Sequence, residues 1–281
     1  MKKIISVLIL ATLLPLAGCS VDQYAIERQY YQAKKQAEKI FKNPHATPPN
    51  ELERVVTLLN GFPTKYPQSR LALDAGFTIA GLYTITEEYE QARAQLNKML
   101  TAYSKAPAIC AEVMFRQGNT FELENKWDSA LAQYKKTIRQ YALTVRGLEL
   151  PVYIAQYYKV KFQPDKMMEA FREAISHYNT LVQEYSGSPL AYKCQTVIAQ
   201  CYLAMKEWQS AIDTFESIIK NYKRKIRKDS TLFTVSALYS RQLKDNVRAR
   251  EALERLIAEY PKSKLVGPAQ AVIKKLTEAK K

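Results

Sequence analysis

The sequence predicts an all-α fold, an α-solenoid of about six helical hairpins closed by a C-terminal capping helix. Two observations predict it. Apolar residues recur at i, i+3, i+4 and i+7 almost throughout the 281 residues, β-branched alternation is absent, and Gly and Pro fall between the periodic segments. A tyrosine also closes every second segment, at Tyr66, Tyr103, Tyr141, Tyr185, Tyr222 and Tyr260, with spacings of 37, 38, 44, 37 and 38 residues. A period of that length marks stacked hairpins, because one hairpin cannot bury its apolar face alone.

The hairpins are expected over roughly 22–67, 69–105, 107–142, 145–187, 188–224 and 228–262. "KEWQSAIDTFESIIKNY" shows the pattern, with Trp208, Ala211, Ile212, Phe215, Ile218 and Ile219 on one stripe. Short turns follow several of the tyrosines: "YPQS" at 66, "YSKAP" at 103, "YSGSP" at 185 and "YPKS" at 260. The unit ending at Tyr185 is about seven residues longer, which predicts two added helical turns around "QPDKMMEAFREAISHYNTLVQEY". The first unit is matched mainly by its tyrosine and second helix, and its turn, "NPHATPPN", is Pro-rich. A last helix over 264–280 places Leu265, Ala269, Val272, Ile273 and Leu276 on one face, as a cap should.

Within each unit the residues resemble the tetratricopeptide repeat. That family sets a small residue midway along its first helix, an aromatic three on and a small residue twelve on. Ala80, Tyr83 and Ala92 fit, as do Gly118, Phe121 and Ala130, and Ala199, Tyr202 and Ala211. Ala237 and Ala249 keep the small pair, with Ser240 in the aromatic place. The resemblance implies a right-handed solenoid. It also implies that the exposed face of each first helix lines a groove for peptides. By register that groove takes Phe77, Thr84, Glu112, Phe115, Asn119, Glu122, Lys193, Thr196, Gln200 and Arg241. Some relatives clamp a peptide carboxylate with Lys and Asn one helical turn apart. Here Phe115 stands in the Lys place before Asn119, so no clamp of that kind is expected.

The N-terminus reads as a targeting segment. Lys2 and Lys3 precede an apolar run from Ile4 to Ala17, too short for the roughly 20 residues of a membrane span but suited to a secretory signal. "LAGC", Leu16 to Cys19, resembles the lipobox of bacterial lipoproteins. The resemblance implies cleavage after residue 18 and a diacylglycerol thioether on Cys19, usually with an acylated new N-terminus. Residues 19–23 then form a lipidated start and short linker, with the repeat domain over 24–281. Ser20 after the cysteine suggests the outer membrane by the enteric sorting rule, with the protein facing the periplasm.

Charge is unevenly placed. The chain carries 42 basic and 27 acidic residues, and residues 220–281 hold 17 of the former against 6 of the latter. Lys220, Lys223, Arg224, Lys225, Arg227 and Lys228 crowd the fifth inter-hairpin turn. They are read either as a solvated turn, with cations favoured at a helix C-terminus, or as an electrostatic dock for an acidic protein, anionic lipid or lipopolysaccharide.

Nothing in the sequence converges on catalysis, and no enzyme, metal site or cofactor is expected. There is no Gly-rich phosphate loop and no nucleophile elbow. Glu87/Glu88 and Glu122/Glu124 read as solvated helix faces, and His45 and His177 as exposed or locally bonded. Cys194 and Cys201, seven apart on one helix, would lie about 10.5 Å apart, beyond the roughly 4.4–6.8 Å of a disulfide. With Cys110 they read as buried packing residues.

Lipobox, repeats and "YPxS" turns together resemble the BamD-type lipoproteins of the outer-membrane β-barrel assembly machine. This chain departs from them in having six hairpins where the best-known members have five. The likeness implies a non-catalytic, lipid-anchored scaffold whose partners are envelope subunits or unfolded outer-membrane proteins, with neither nucleic acid nor a small-molecule substrate. A pilotin-type or secretion-system lipoprotein escorting a pore subunit is the alternative, and an accessory to a peptidoglycan-acting enzyme a third.

Overall fold

The computed structural model describes residues 19–67, 69–222 and 228–278, and for 19–23 the backbone alone. The expected signal segment, residues 1–18, lies outside them, as do Lys223, Arg224, Lys225 and Arg227. Every regular element of the described residues is helical. Six pairs follow one another: α1 Cys19–Lys42 with α2 Pro49–Lys65, α3 Arg70–Ile85 with α4 Tyr89–Ala102, α5 Pro107–Leu123 with α6 Trp127–Gln140, α7 Val145–Val160 with α8 Pro164–Glu184, α9 Pro189–Ala204 with α10 Trp208–Asn221, and α11 Lys228–Arg241 with α12 Asn246–Glu259. The last helix, α13, spans Val266–Glu278. The helices form two compact units that divide between Gly147 and Leu148, inside the first turn of α7.

Each unit has its own apolar core. In the N-terminal unit Tyr30, Ala37 and Ile40 of α1 meet Val55, Leu59 and Phe62 of α2 and Ala75, Ile79 and Leu82 of α3. In the C-terminal unit Ile219, Leu232, Leu253 and Leu256 close on Ala269 of α13, whose Val272 and Ile273 pack at the margin. That contact makes α13 the cap its apolar stripe predicts.

The tyrosine period has a physical cause. Each of the six is the residue just past a second helix, and each N–H donates to the carbonyl four residues back, as Tyr66 does to Phe62 and Tyr260 to Leu256. The tyrosine carbonyl then accepts from the N–H three residues on, at Ser69, Ala106, Thr144, Ser188 and Ser263. At two of the serines the hydroxyl goes on to cap the next helix. Ser69 Oγ accepts from Ala72 N and Ser188 Oγ from Ala191 N, satisfying amides that a helix start leaves open.

Inside the hairpins a second motif recurs. The first helices α3, α5, α7 and α9 end on a residue in the left-handed region: Glu87 (φ 65°), Asn125 (60°), Phe162 (54°) and Lys206 (61°). The next N–H, of Glu88, Lys126, Gln163 or Glu207, reaches back to the carbonyl of Tyr83, Phe121, Tyr158 or Tyr202. This is the six-to-one bond of a Schellman cap, and its acceptor is in each case an aromatic residue of the first helix. In the last hairpin Asp245 N donates to Tyr239 O, one residue further, across Lys244 (φ 57°). Tyr239 therefore occupies the aromatic place, not Ser240, and buried Ser236 takes the small position, with Ala237 only half-buried. One extra residue in that turn shifts the register.

Two features of length stand out. At 21 residues, α8 exceeds α4, α6, α10 and α12, each 14 residues, by the two turns its spacing predicts. Helix α1 starts at Cys19, five residues ahead of Tyr24, where the apolar periodicity resumes.

Candidate functional site

The first-helix residues expected to line a groove fall into two groups. In the N-terminal unit, Phe77 of α3 and Glu112, Phe115, Asn119 and Glu122 of α5 are all half-buried. Three of them are knitted by two arginines. Glu112 Oε1 accepts from Arg116 Nε at 2.8 Å and its Oε2 from Arg146 Nε at 2.6 Å. The Arg116 guanidinium lies 4.6 Å from the Phe77 ring centroid and that of Arg146 lies 4.0 Å from Phe115. Both are cation–π distances. Burial pushes the Glu112 carboxyl up, but the hydrogen bonds and charges of Arg146 and Arg116 outweigh it and hold the group below the ordinary carboxylate range. The result is a chain of Phe77, Arg116, Glu112, Arg146 and Phe115 that joins α3, α5 and the start of α7.

The rest of that face is tied inward. Phe115 stacks on Tyr134 with centroids 5.9 Å apart, and the Tyr134 hydroxyl donates to Glu122 at 2.9 Å. Thr84 donates to its own helix at Ala80 O. Phe77 and Phe115 belong to the core as well as to the expected groove: each ring packs inward on one side and carries a guanidinium on the other. Arg116 and Arg146 were not singled out in the sequence. Arg116 was findable, four residues after Glu112; Arg146, 34 residues on, had no such signal.

In the C-terminal unit, Lys193 and Gln200 of α9 and Arg241 of α11 are exposed, and half-buried Thr196 donates to Tyr192 O. Lys193, Thr196 and Gln200 share one face of α9 by spacing.

Several residues sit otherwise than their sequence suggests. Of the basic cluster, Lys220 is exposed, but Lys228 is buried and donates through Nζ to Ile219 O at the end of α10. An ammonium there meets carbonyls that the helix leaves open. Lys228 is thus part of the fold and not of a solvated patch. Beside it buried Asp229 accepts from Ser263 Oγ, joining the start of α11 to the turn after Tyr260. Glu122 and Glu124 are not a solvated face either. The Glu124 side chain is 15% exposed and bonds Arg93 of α4 at 2.7 Å, and these bonds hold its carboxyl below the usual range. His45 is exposed. His177 is half-buried with Nε2 enclosed and unbonded, and burial lowers its pKa. Cys110, Cys194 and Cys201 are free and buried, as packing residues should be, with the Cys201 thiol pushed up to about 12 by burial.

Among the described residues no three His, Cys, Asp or Glu side chains gather as a metal site would need, and no helix is long and apolar enough to cross a membrane. Clefts lie elsewhere. One of about 550 Å³ is lined by Asn60, Pro63 and Thr64 of α2 and Gln95, Lys98 and Met99 of α4.

Hairpins repeated at a nearly constant spacing, four of them turned by the same Schellman cap, define an all-α helical-repeat protein. More particularly, three stretches of the chain are similar to the tetratricopeptide repeat. The sequence profile of the tetratricopeptide repeat matches residues 112–144, 198–224 and 232–263. No curated protein matches the chain. Among solved structures it is similar to the C-terminal part of a TPR repeat-containing protein from Cytophaga hutchinsonii, at 17% identity over 80% of this chain and 78% of that one, TM-score 0.41. A tetratricopeptide repeat protein from Parabacteroides merdae is 14% identical over 91% and 95%, TM-score 0.33. Pseudomonas aeruginosa pilF is 13% identical over 92% and 100%, TM-score 0.35.

Proposed function

We propose that this protein is a non-catalytic scaffold of the bacterial envelope, anchored by lipid on Cys19 at the outer membrane and facing the periplasm. It would hold a protein or peptide partner, such as an envelope subunit or an unfolded outer-membrane protein, during outer-membrane assembly. Tetratricopeptide repeats are protein-interaction scaffolds, and that much follows from the repeats themselves. The observation that carries the finer reading is the sequence "LAGC" set directly against the repeat array. Supporting it is the face of α3 and α5, where two cations and two aromatic rings surround one shared carboxylate. Such a face can accept a partner's carboxylate at Arg116, whose side chain is 43% exposed, and its apolar side chains beside the rings.

Crosslinking in intact cells from a photoreactive residue at position 119, followed by mass spectrometry, tests this reading. Recovery of barrel-assembly subunits or nascent outer-membrane proteins is expected, with adducts lost in Arg116→Glu. Recovery of secretion-pore subunits instead would favour an escort role, and adducts to no envelope protein would sink both.

A further inference from the structure

The turn between α7 and α8 breaks a rule that four other hairpin turns keep. At the left-handed position they carry Glu87, Asn125, Lys206 and Lys244, all polar or charged. Here the residue is Phe162, at φ 54° and 92% exposed. Asparagine and glycine tolerate this backbone region and a bulky aromatic does not. The ring recovers little by packing, since it stands almost wholly in solvent. Val160, two residues back, is 72% exposed. An exposed apolar pair on a strained turn costs stability without an intramolecular return, which points to a contact outside the chain.

The surroundings indicate what that contact is. Lys159, Lys161 and Lys166 are exposed around the tip, and Asp165, in the first turn of α8, is the only carboxylate between residues 157 and 168. Lys161 Nζ lies 5.5 Å from the Tyr157 ring and Lys166 Nζ 5.8 Å from that of Tyr158, at the end of the helix that leads into the turn. One phenyl and one isopropyl group are a small part of the roughly 800 Å² that a stable protein interface takes from each partner. A lipid surface asks for no shape match. It accepts an aromatic side chain at the acyl boundary and lysine ammoniums at its phosphates. We propose that the α7–α8 turn is a membrane-surface contact that seats Phe162 and Val160 at the interface of an anionic phospholipid layer. It adds a second point of attachment to the proposed lipid on Cys19, on which reading it builds.

The test uses the full mature protein with Phe162→Trp, mixed with vesicles of phosphatidylcholine alone or with phosphatidylglycerol, in both cases with brominated acyl chains. Wild-type protein supplies the background from Trp127 and Trp208. The expected result is additional indole emission that shifts to the blue and is quenched on the anionic vesicles, much less so on neutral ones or with Lys159→Glu/Lys161→Glu. Phe162→Gly should fold at least as stably, since it relieves the backbone, yet lose about tenfold in association with anionic vesicles. Protein that binds vesicles while the introduced indole stays unquenched would overturn the inference and leave the lipid anchor standing. Quenching with Cys19 unmodified would do the reverse. A photoreactive group at position 162 that labels only protein in cells would also overturn it.

Discussion

A single methyl group measures how closely α5 and α6 approach. A Cβ built on Gly118 would lie 2.3 Å from the Tyr134 ring, which is fully buried and held by its bond to Glu122. The ring has nowhere to swing, so Gly118→Ala should destabilise the protein by about 1–3 kcal/mol in urea denaturation. At Gly76 the atom met is Met99 Sδ at 2.9 Å, a flexible thioether, and the same change should cost less. His177 makes a pH prediction. Its folded pKa is depressed by burial, so as pH falls below the ordinary 6.5 the unfolded chain takes up a proton that the folded chain refuses. Stability should therefore decline from pH 7 toward pH 5, and His177→Gln should flatten that decline in denaturation midpoints. Glu112, whose carboxyl is held below its ordinary 4.5, contributes stability that is lost only at lower pH, in a separate window.

At the scale of elements, the hairpin caps carry the next prediction. A non-glycine residue in the left-handed region costs roughly 1 kcal/mol or more, and glycine is the residue that Schellman caps favour. Lys206→Gly should raise the urea midpoint, and Asn125→Gly should raise it less, because asparagine tolerates this conformation. A fall in stability at Lys206 would mean that the side chain contributes more than the backbone costs. These caps also show what the sequence carries at this scale. Tyrosine spacing locates every second-helix end, because each of these residues closes a helix and starts the following turn. The two added turns of α8 are legible for the same reason. What periodicity misses is a change of phase inside a turn: the extra residue before Asp245 moved the aromatic place from Ser240 to Tyr239. The end of α1 is hidden too, since no apolar stripe marks where it begins before Tyr24.

At the scale of the whole molecule, the candidate face was half legible. Helical register picks out Phe77, Glu112 and Phe115, but the cation joining them, Arg146, comes 34 residues after Glu112 in the chain. No spacing within one helix encodes that. Burial of Lys228 was equally hidden, because a run of six cations looks solvated until one of them is found bonded to the end of α10. The lipid anchor stands apart, since it rests on four consecutive residues and a chain position. It is also the part of the proposal that would turn a repeat scaffold into an envelope scaffold. Intact mass spectrometry of the mature protein from its native host tests it most directly. The account predicts a chain that begins at Cys19 and carries the added mass of a diacylglycerol with a further acyl chain. A chain that retains residues 1–18, or begins elsewhere with Cys19 unmodified, would contradict it.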